Sequence, residues 1–232
     1  MNYIFIISHM RSYSTLLSHV LGSNKNIDGY GELHYSYLNR FDSLKAKIQV
    51  MYAVDNSLQG NFILDKLLHN ANQIAESFLQ KNTVKLIFLL RNPIDTYKSR
   101  INLLQRIKKR NIDPLQIHNY YINRLPMLVQ QAKSLDTKKI FIESEQIKTN
   151  TSATLQKLNN FLELDDKLTN NYQLFKFSGY GNYGDSTDNI KIGVISKGSN
   201  QYDNIVLPDE IMKIAHIVYN ESKLKLMQLC NN

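Results

Sequence analysis

Residues 3–21 read YIFIISHMRSYSTLLSHVL. The first five are apolar or aromatic, which is typical of a strand buried on both faces of a sheet. A polar loop, Ser8 to Thr15, follows, and the apolar pattern after it predicts a helix over residues 14–22. Unpaired amides and the positive end of the helix dipole converge where a loop enters a helix. The stretch therefore predicts an anion-binding loop between the first strand and the first helix.

The rest of the chain alternates between short apolar runs and longer amphipathic segments. Strands are predicted at 3–7, 62–65, 84–90 and 139–142, and helices at 14–22, 43–54, 70–80, 94–109, 114–134, 152–162 and 208–229. This alternation predicts the α/β class: one three-layer αβα domain over residues 1–232, with a central parallel sheet as in P-loop NTPases. The glycine-rich segment 176–202 has no clear period, so we expect a long ordered loop near a ligand.

The loop has the length of a nucleotide-binding P-loop but not its composition. Aligned with G-x-x-x-x-G-K-[ST], Ser8 and Tyr13 replace the glycines, Ser14 replaces the lysine, and Thr15 keeps the hydroxyl. The missing lysine argues against an ordinary Mg-nucleotide kinase, although a nucleotide-dependent kinase or phosphotransferase stays the main alternative function. The cation of the loop is instead Arg11, a donor that stays charged.

A second polar element follows the third predicted strand. Residues 91–100 read RNPIDTYKSR. Arg91 stands at the carboxyl end of a strand and Ser99 two turns into the next helix, so both point to the crevice where open α/β sheets bind ligands. A guanidinium fork with a hydroxyl group is suitable chemistry for a terminal phosphate.

Together these elements resemble the sulfotransferase family. Residues 11–17, RSYSTLL, are similar to its R-S-G-[ST]-T-L-L phosphosulfate loop, and residues 91–99 match its R-[ND]-P-x-D-x-x-x-S element. The resemblance implies an enzyme that moves a sulfonate from 3′-phosphoadenosine 5′-phosphosulfate (PAPS) to a hydroxyl of a carbohydrate, tyrosyl or small-molecule acceptor. The product nucleotide would be 3′-phosphoadenosine 5′-phosphate (PAP). Cofactor-binding residues carried over from the motifs are Arg11, Ser12, Tyr13, Ser14, Thr15, Arg91 and Ser99.

Two further positions bear on the cofactor. The family usually has glycine where this chain has Tyr13, and a bulky residue is costly at positive φ. The backbone of Tyr13 is therefore expected either to keep a negative φ or to distort the loop. Lys197, followed by Gly198, is similar to the lysine–glycine pair of the basic loop that covers the adenosine phosphates in sulfotransferases.

Sulfonate transfer needs cations for the charge on the leaving phosphate and a base for the acceptor proton. Arg11 is the first cation, and Lys66 is similar in position to a strand-end lysine that contacts the sulfonate in several sulfotransferases. Glu32, in a Gly-Glu pair after the first helix, is the preferred base, with His34 and His69 as alternatives. No Asp/His/Cys cluster has metal-ligand spacing, so no metal is predicted.

Composition limits the partners. The formal net charge of +8 favours anionic ligands, but the densest basic cluster, residues 106–110, lies at a predicted helix end where cations complement the helix dipole. Nucleic acid is therefore not the expected partner, and a noncatalytic nucleotide-binding relative stays a further alternative.

No apolar run is long enough for a membrane span, and a single cysteine suits a reducing compartment, so the cytoplasm is predicted. The oligomeric state is left open.

The acceptor site is predicted only by region. Segments 33–60 and 100–135 follow the relevant strands and are expected to line it. Five tyrosines there are candidates for stacking on a sugar or aromatic ring: Tyr35, Tyr37, Tyr52, Tyr120 and Tyr121.

Overall fold

The computed structural model describes residues 2–54, 57–80, 82–107, 113–184, 188–196 and 204–230. In chain order its elements are β1 (Asn2–Ile7), α1 (Ser14–Gly22), β2 (Ile27–Asp28), α2 (Arg40–Ala53), β3 (Phe62–Leu67), α3 (Glu76–Leu79), β4 (Thr83–Leu90), α4 (Pro93–Arg106), α5 (Pro114–Ser134), β5 (Lys138–Glu143), α6 (Gln146–Thr149), α7 (Thr151–Leu162) and α8 (Asp209–Cys230). Two 3-10 helices, Gly181–Tyr183 and Asp188–Ile192, lie in the segment before α8.

The strands form one parallel sheet in the order β2-β3-β1-β4-β5. Strand β1 is central because its residues 3–7 are apolar on both faces, and it pairs with β3 and β4. Its last residue, Ile7, is in register with Leu67 of β3 and with Phe88 of β4. The loops after these three strands therefore meet at one edge of the sheet. The chain leads from β1 to β2 and β3 on one side of β1, and then to β4 and β5 on the other side. Open parallel sheets bind ligands beside the strand where the direction changes in this way.

Alternate residues of β1 belong to two separate hydrophobic cores. Tyr3, Phe5 and Ile7 pack with side chains of α2, α4, α5 and α8 on one face. Ile4 and Ile6 pack with side chains of α1 and α7 on the other. This arrangement of helices on both faces of a parallel sheet confirms the predicted α/β class.

Local sequence determines where two of the site's helices begin. Pro93 occupies the first turn of α4, where its missing N–H is not needed, and the Asn92 side chain accepts a hydrogen bond from the Asp95 amide at 2.9 Å. Helix α5 repeats the arrangement, with Pro114 in its first turn and Asp113 accepting from the Leu115 amide at 2.9 Å. Helix α4 thus starts just beyond the end of β4, and α5 passes the same edge of the sheet at Arg124, which donates to Ser8 O and Leu67 O.

The main error of the sequence prediction is the helix expected at 70–80. Only Glu76–Leu79 is helical. The backbone before it pairs with the loop after β2 instead, because the Tyr37 amide donates to Gln73 O at 2.7 Å and the Ala75 amide donates to Tyr37 O at 2.9 Å. Strand β2 and helix α6 were not predicted, since runs of two and four residues carry no periodic signal.

Candidate active site

The loop between β1 and α1 is held from both sides. Ser8 Oγ donates to Leu89 O of β4 at 2.8 Å and lies 2.6 Å from Ser12 Oγ. Arg11 and Tyr13 have φ of +67° and +61°, in the left-handed region that non-glycine residues adopt at a cost. Tyr13 therefore does not keep the negative φ that was one of the two expectations for it. Tyr13 is the N-cap residue of α1, and its side chain makes no capping bond within the described residues.

Arg91 joins the second polar element to this loop. Its side chain is 2% exposed, and its guanidinium donates to Arg11 O at 3.0 Å and to the Tyr13 hydroxyl at 2.8 Å. The guanidinium carbon also lies 4.0 Å from the centroid of the Tyr13 ring. Arg11 Nε in turn donates to Ser99 Oγ at 2.9 Å. The residues of the two predicted motifs therefore meet in space.

The charge of Arg91 is only partly compensated by protein groups. Asp95 Oδ2 is 3.8 Å from the guanidinium of Arg91, which is beyond hydrogen-bond distance. The buried Nε of Arg91 has no hydrogen-bond partner among the residues described. A buried cation is expensive unless it is paired and fully hydrogen-bonded. An anionic ligand at this position would supply both charge and acceptor.

Lys66 approaches the same loop from the end of β3. The side chain is fully buried, and its Nζ donates to Thr15 Oγ1 at 3.2 Å and to Tyr183 O at 3.3 Å. It is thus not the solvent-facing lysine that a strand end often carries. Gly184 lies against both side chains, since a Cβ built on it would be 2.5 Å from Thr15 Oγ1 and 2.7 Å from Lys66 Nζ.

The three candidates for the base form one cluster. Glu32 is 7% exposed, and its Oε1 lies 3.5 Å from His34 Nδ1 and 3.3 Å from His69 Nε2. Neither contact has hydrogen-bond geometry, and in the part of the chain that the structure describes Glu32 Oε1 has no hydrogen-bond partner. Sequence reasoning treated these residues as rivals, whereas the fold places them side by side.

Two buried charged residues that sequence reasoning did not single out position this cluster. Asp65 accepts from the amides of Leu33 at 2.9 Å and Lys66 at 2.6 Å, and burial raises its pKa to about 6. Arg124 of α5 donates to Ser8 O at 2.9 Å and to Leu67 O at 2.7 Å, which ties the ends of β1 and β3 together. Asp65 could have been noticed as an acidic residue inside an apolar strand, but nothing in the sequence around Arg124 indicates its contacts.

A cavity of about 480 Å³ lies between the loop after β1 and the cluster around Glu32. It is lined by the loop residues Met10 to Leu16 and also by Glu32, His34, His69, Arg91, Ser99 and Arg100. A smaller cavity of about 190 Å³ lies between α4 and α5 and shares Met10 and Arg100 with it. The predicted regions 33–60 and 100–135 thus contribute His34 to the larger cavity and Tyr120 to the smaller one.

The tyrosines proposed for acceptor stacking have other contacts. Tyr37 is fully buried in the core and donates to Asp65 Oδ2 at 2.7 Å, so that prediction is wrong for Tyr37. Tyr120 and Tyr121 line the smaller cavity but donate their hydroxyls to Leu68 O and Arg91 O, both at 2.7 Å. Tyr52 is exposed and stacks on Phe177. Half-buried Tyr35 packs against the core.

Lys197 lies outside the described residues. Ser196, immediately before it, lines the larger cavity. The predicted contact of Lys197 with the adenosine phosphates stays a prediction.

Comparisons with known proteins were made by sequence and by structure. No family model matches the sequence, and no curated protein sequence matches it significantly. The sulfotransferase domain of the curacin biosynthetic pathway is 16% identical, with a TM-score of 0.64 over 95% of this chain and 96% of that one. The sulfotransferase domain of the Synechococcus PCC 7002 olefin synthase is also 16% identical, with a TM-score of 0.66 over 95% of this chain and 94% of that one. A mouse sulfotransferase complexed with PAP is 15% identical, with a TM-score of 0.53 over 98% of this chain and 84% of that one. The chain therefore has the sulfotransferase fold, as the resemblance of its motifs implied.

Among the residues described, no helix is both long and apolar enough to cross a membrane.

Proposed function

We propose that the protein transfers the sulfonate of PAPS to an acceptor hydroxyl. The observation that carries this proposal is the buried, under-compensated guanidinium of Arg91, held against the loop between β1 and α1 within one cavity. A nucleotide with a phosphate at each end suits this arrangement, because the loop at the start of α1 and the guanidinium of Arg91 beside it both offer donors to anions.

The cofactor-binding roles follow from position. Ser12, Tyr13, Ser14 and Thr15 surround the start of α1 and would hold the 5′-phosphosulfate. Arg91 and Ser99 would hold the 3′-phosphate, which would complete the hydrogen bonding of Arg91 Nε. Lys197 would contact the adenosine phosphates, as the resemblance of the Lys197-Gly198 pair implies.

The catalytic roles go to Arg11 and Glu32, which line the cavity, and to Lys66, which is buried behind its wall against Thr15. As the bond between the sulfonate and the 5′-phosphate breaks, negative charge grows on the leaving phosphate, and Arg11 and Lys66 would stabilise it. The acceptor oxygen bonds to sulfur and loses its proton, which Glu32 would accept. His34 and His69 stay the alternative bases, and both lie within 3.5 Å of the carboxylate.

The cytoplasmic location, the extent of the domain over residues 1–232 and the acceptor class belong to this proposal as predictions.

Calorimetric titration with PAP, AMP and MgATP tests the proposal. We expect PAP to bind more tightly than the other two, and Arg91→Ala to weaken PAP binding about 10- to 150-fold, because bonds to charged groups contribute roughly 1.5–3 kcal/mol. Arg106→Ala, at the exposed end of α4, is the matched control and should bind PAP as the wild type does.

Circular dichroism and the milder variant Ser99→Ala separate loss of binding from loss of folding. Binding of MgATP as tight as that of PAP would favour the alternative phosphotransferase function. PAP binding without turnover of any acceptor would favour a noncatalytic relative.

A further inference from the structure

The cluster of Glu32, His34 and His69 has the composition of a metal site. Each of the three residues offers one ligand atom, and these atoms all lie within 4.8 Å of one another. Two imidazoles and one carboxylate are a ligand set that binds zinc and similar divalent ions, with one coordination position left open. The set was not visible in the sequence, because His69 is separated from the other two by the whole of α2 and β3.

The distances around Glu32 fit a tetrahedral ion. Ligands about 2.0–2.1 Å from a tetrahedral metal are about 3.3–3.4 Å from one another, whereas around an octahedral ion at that distance they would be about 2.9 Å apart. The observed separations from Glu32 Oε1 are 3.5 Å to His34 Nδ1 and 3.3 Å to His69 Nε2. Glu32 Oε1 is buried, has no hydrogen-bond partner among the described residues and faces two imidazole nitrogens, which is a suitable environment for a metal-ligating oxygen.

Buried groups outside the cluster hold its backbone in place. Asp65 accepts from the amide of Leu33, which lies between two of the ligands, at 2.9 Å. Arg124 Nη1 donates to the carbonyl of His69 at 3.2 Å. Ligands fixed by a supporting shell need little rearrangement to bind a metal.

The open side of the cluster faces the larger cavity. The side chains of His34 and His69 are 47% and 43% exposed, and all three residues line that cavity together with Arg11. An ion bound here would therefore present its open position to whatever enters beside the anion-binding loop.

We infer that Glu32, His34 and His69 bind one zinc-like divalent ion at the wall of the larger cavity. Coordination through Oε1 would draw electron density from the Glu32 carboxylate and so make it a weaker base for the acceptor proton. This consequence, reversible inhibition by zinc, rests on the proposed sulfotransferase function, whereas the site itself does not.

Equilibrium dialysis and calorimetry with ZnCl₂ test the site in the full chain, after treatment with a chelator that is then removed. We expect one bound zinc per chain, lost in His34→Ala, His69→Ala and Glu32→Gln. His216→Ala, a partly exposed histidine of α8, is the matched control and should keep the stoichiometry. Co²⁺ as a second probe should give the intense visible absorption of a tetrahedral complex in the wild type and in His216→Ala, but not in the three ligand variants.

Absence of saturable zinc binding overturns the inference, as does full binding by the His34→Ala/His69→Ala double variant. PAP titration of the same samples distinguishes this failure from a failure of the proposed function, because nucleotide binding does not involve the three ligands. Under turnover, zinc should inhibit and a chelator should restore the rate. An unchanged rate in zinc-saturated protein would overturn the inhibitory role.

Discussion

Tyr13 shows how a residue that departs from a motif can still fit the site. Its backbone adopts the left-handed conformation that glycine would adopt easily, at a cost of about 1–2 kcal/mol. Its ring stacks on the guanidinium of Arg91 at 4.0 Å, and its hydroxyl accepts a hydrogen bond from the same group at 2.8 Å. The side chain thus fixes the residue proposed to bind the 3′-phosphate, which offsets the strained backbone.

Tyr13→Phe should lower the free energy of unfolding by about 1.5–3 kcal/mol, because a bond to a buried charged group is lost while the ring stays. Urea denaturation measures the change. Tyr180→Phe, on an exposed tyrosine, should leave stability unchanged. If the two variants are equally stable, the hydrogen bond to Arg91 does not hold the loop.

Asp65 should make stability depend on pH. Burial raises its pKa from 3.8 to about 6, so the folded protein binds its proton more tightly than the unfolded chain does. The stability that this group contributes is full below pH 3.8 and is lost as pH rises to about 6. The loss amounts to roughly 3 kcal/mol.

His9 acts in the opposite direction, so the wild-type curve alone is not decisive. Burial lowers the pKa of His9 from 6.5 to about 3, and its contribution is lost as pH falls through that interval. The difference in unfolding free energy between wild type and Asp65→Asn isolates the aspartate. This difference should favour the wild type more at pH 4 than at pH 7, and a difference independent of pH would contradict the assignment.

Glu32 can be tested separately from cofactor binding. Glu32→Gln should lower kcat about 10²- to 10⁴-fold, the usual contribution of a general base, while PAP affinity stays the same. His34→Ala and His69→Ala should each have a smaller effect. A larger loss of kcat in either histidine variant would transfer the role of base to that histidine.

The segment Phe175–Gly184, here called the aromatic strap, closes one side of the loop between β1 and α1. Phe175 stacks on Tyr30 at 4.1 Å, and Phe177 stacks on Tyr183 at 4.3 Å. These contacts bring the carbonyl of Tyr183 to Lys66 Nζ and place Gly184 against Thr15. The strap therefore determines how much room remains beside the proposed sulfonate.

Gly184→Ala should weaken PAP binding, because the new Cβ would overlap Thr15 Oγ1 and Lys66 Nζ and push these groups apart. Gly193→Ala is the matched control. It also has a positive φ, +74°, but its nearest contact would be an ordinary 3.5 Å, so it should lose stability without losing PAP affinity. Calorimetry and thermal denaturation of both variants separate the two effects, and equal loss of affinity would show that the strap does not shape the nucleotide site.

The elements that sequence predicts well are those with a strong local signal. β1 and β4 were predicted because their apolar runs are uninterrupted, and α4 and α5 because their sequences have a helical pattern. The segment at 70–80 was predicted wrongly because its backbone bonds to residues near Tyr37, far away in sequence. Arg11, Arg91 and Ser99 were named as candidates because they belong to local sequence motifs. The hydrogen bond between Arg91 and the Tyr13 hydroxyl was not predicted, because it joins residues far apart in the sequence.

The site as a whole depends on contacts that no local pattern contains. The cluster of Glu32 with His34 and His69 requires the ends of β2 and β3 to lie side by side, and Arg124 reaches that edge from a helix more than 50 residues later in the sequence. Sequence therefore indicated candidate residues for the site, but not the contacts through which they meet.

The net charge of +8 suggests a last prediction, on the rate of nucleotide capture. Exposed charges attract an anionic nucleotide over long distances, and salt screens this attraction, with a Debye length of about 10 Å at 0.1 M and about 3 Å at 1 M. Arg91 is only 2% exposed, so its contact with a bound phosphate should be screened much less. Raising the salt concentration should therefore slow PAP association while changing the dissociation rate little, as stopped-flow fluorescence would measure. AMP, which carries less charge, should show a weaker dependence.

If salt instead accelerates dissociation and leaves association unchanged, the nucleotide is held by exposed lysines and arginines rather than by the buried guanidinium. Tight binding of generic duplex DNA with a steep loss of affinity in salt would reopen the nucleic-acid alternative.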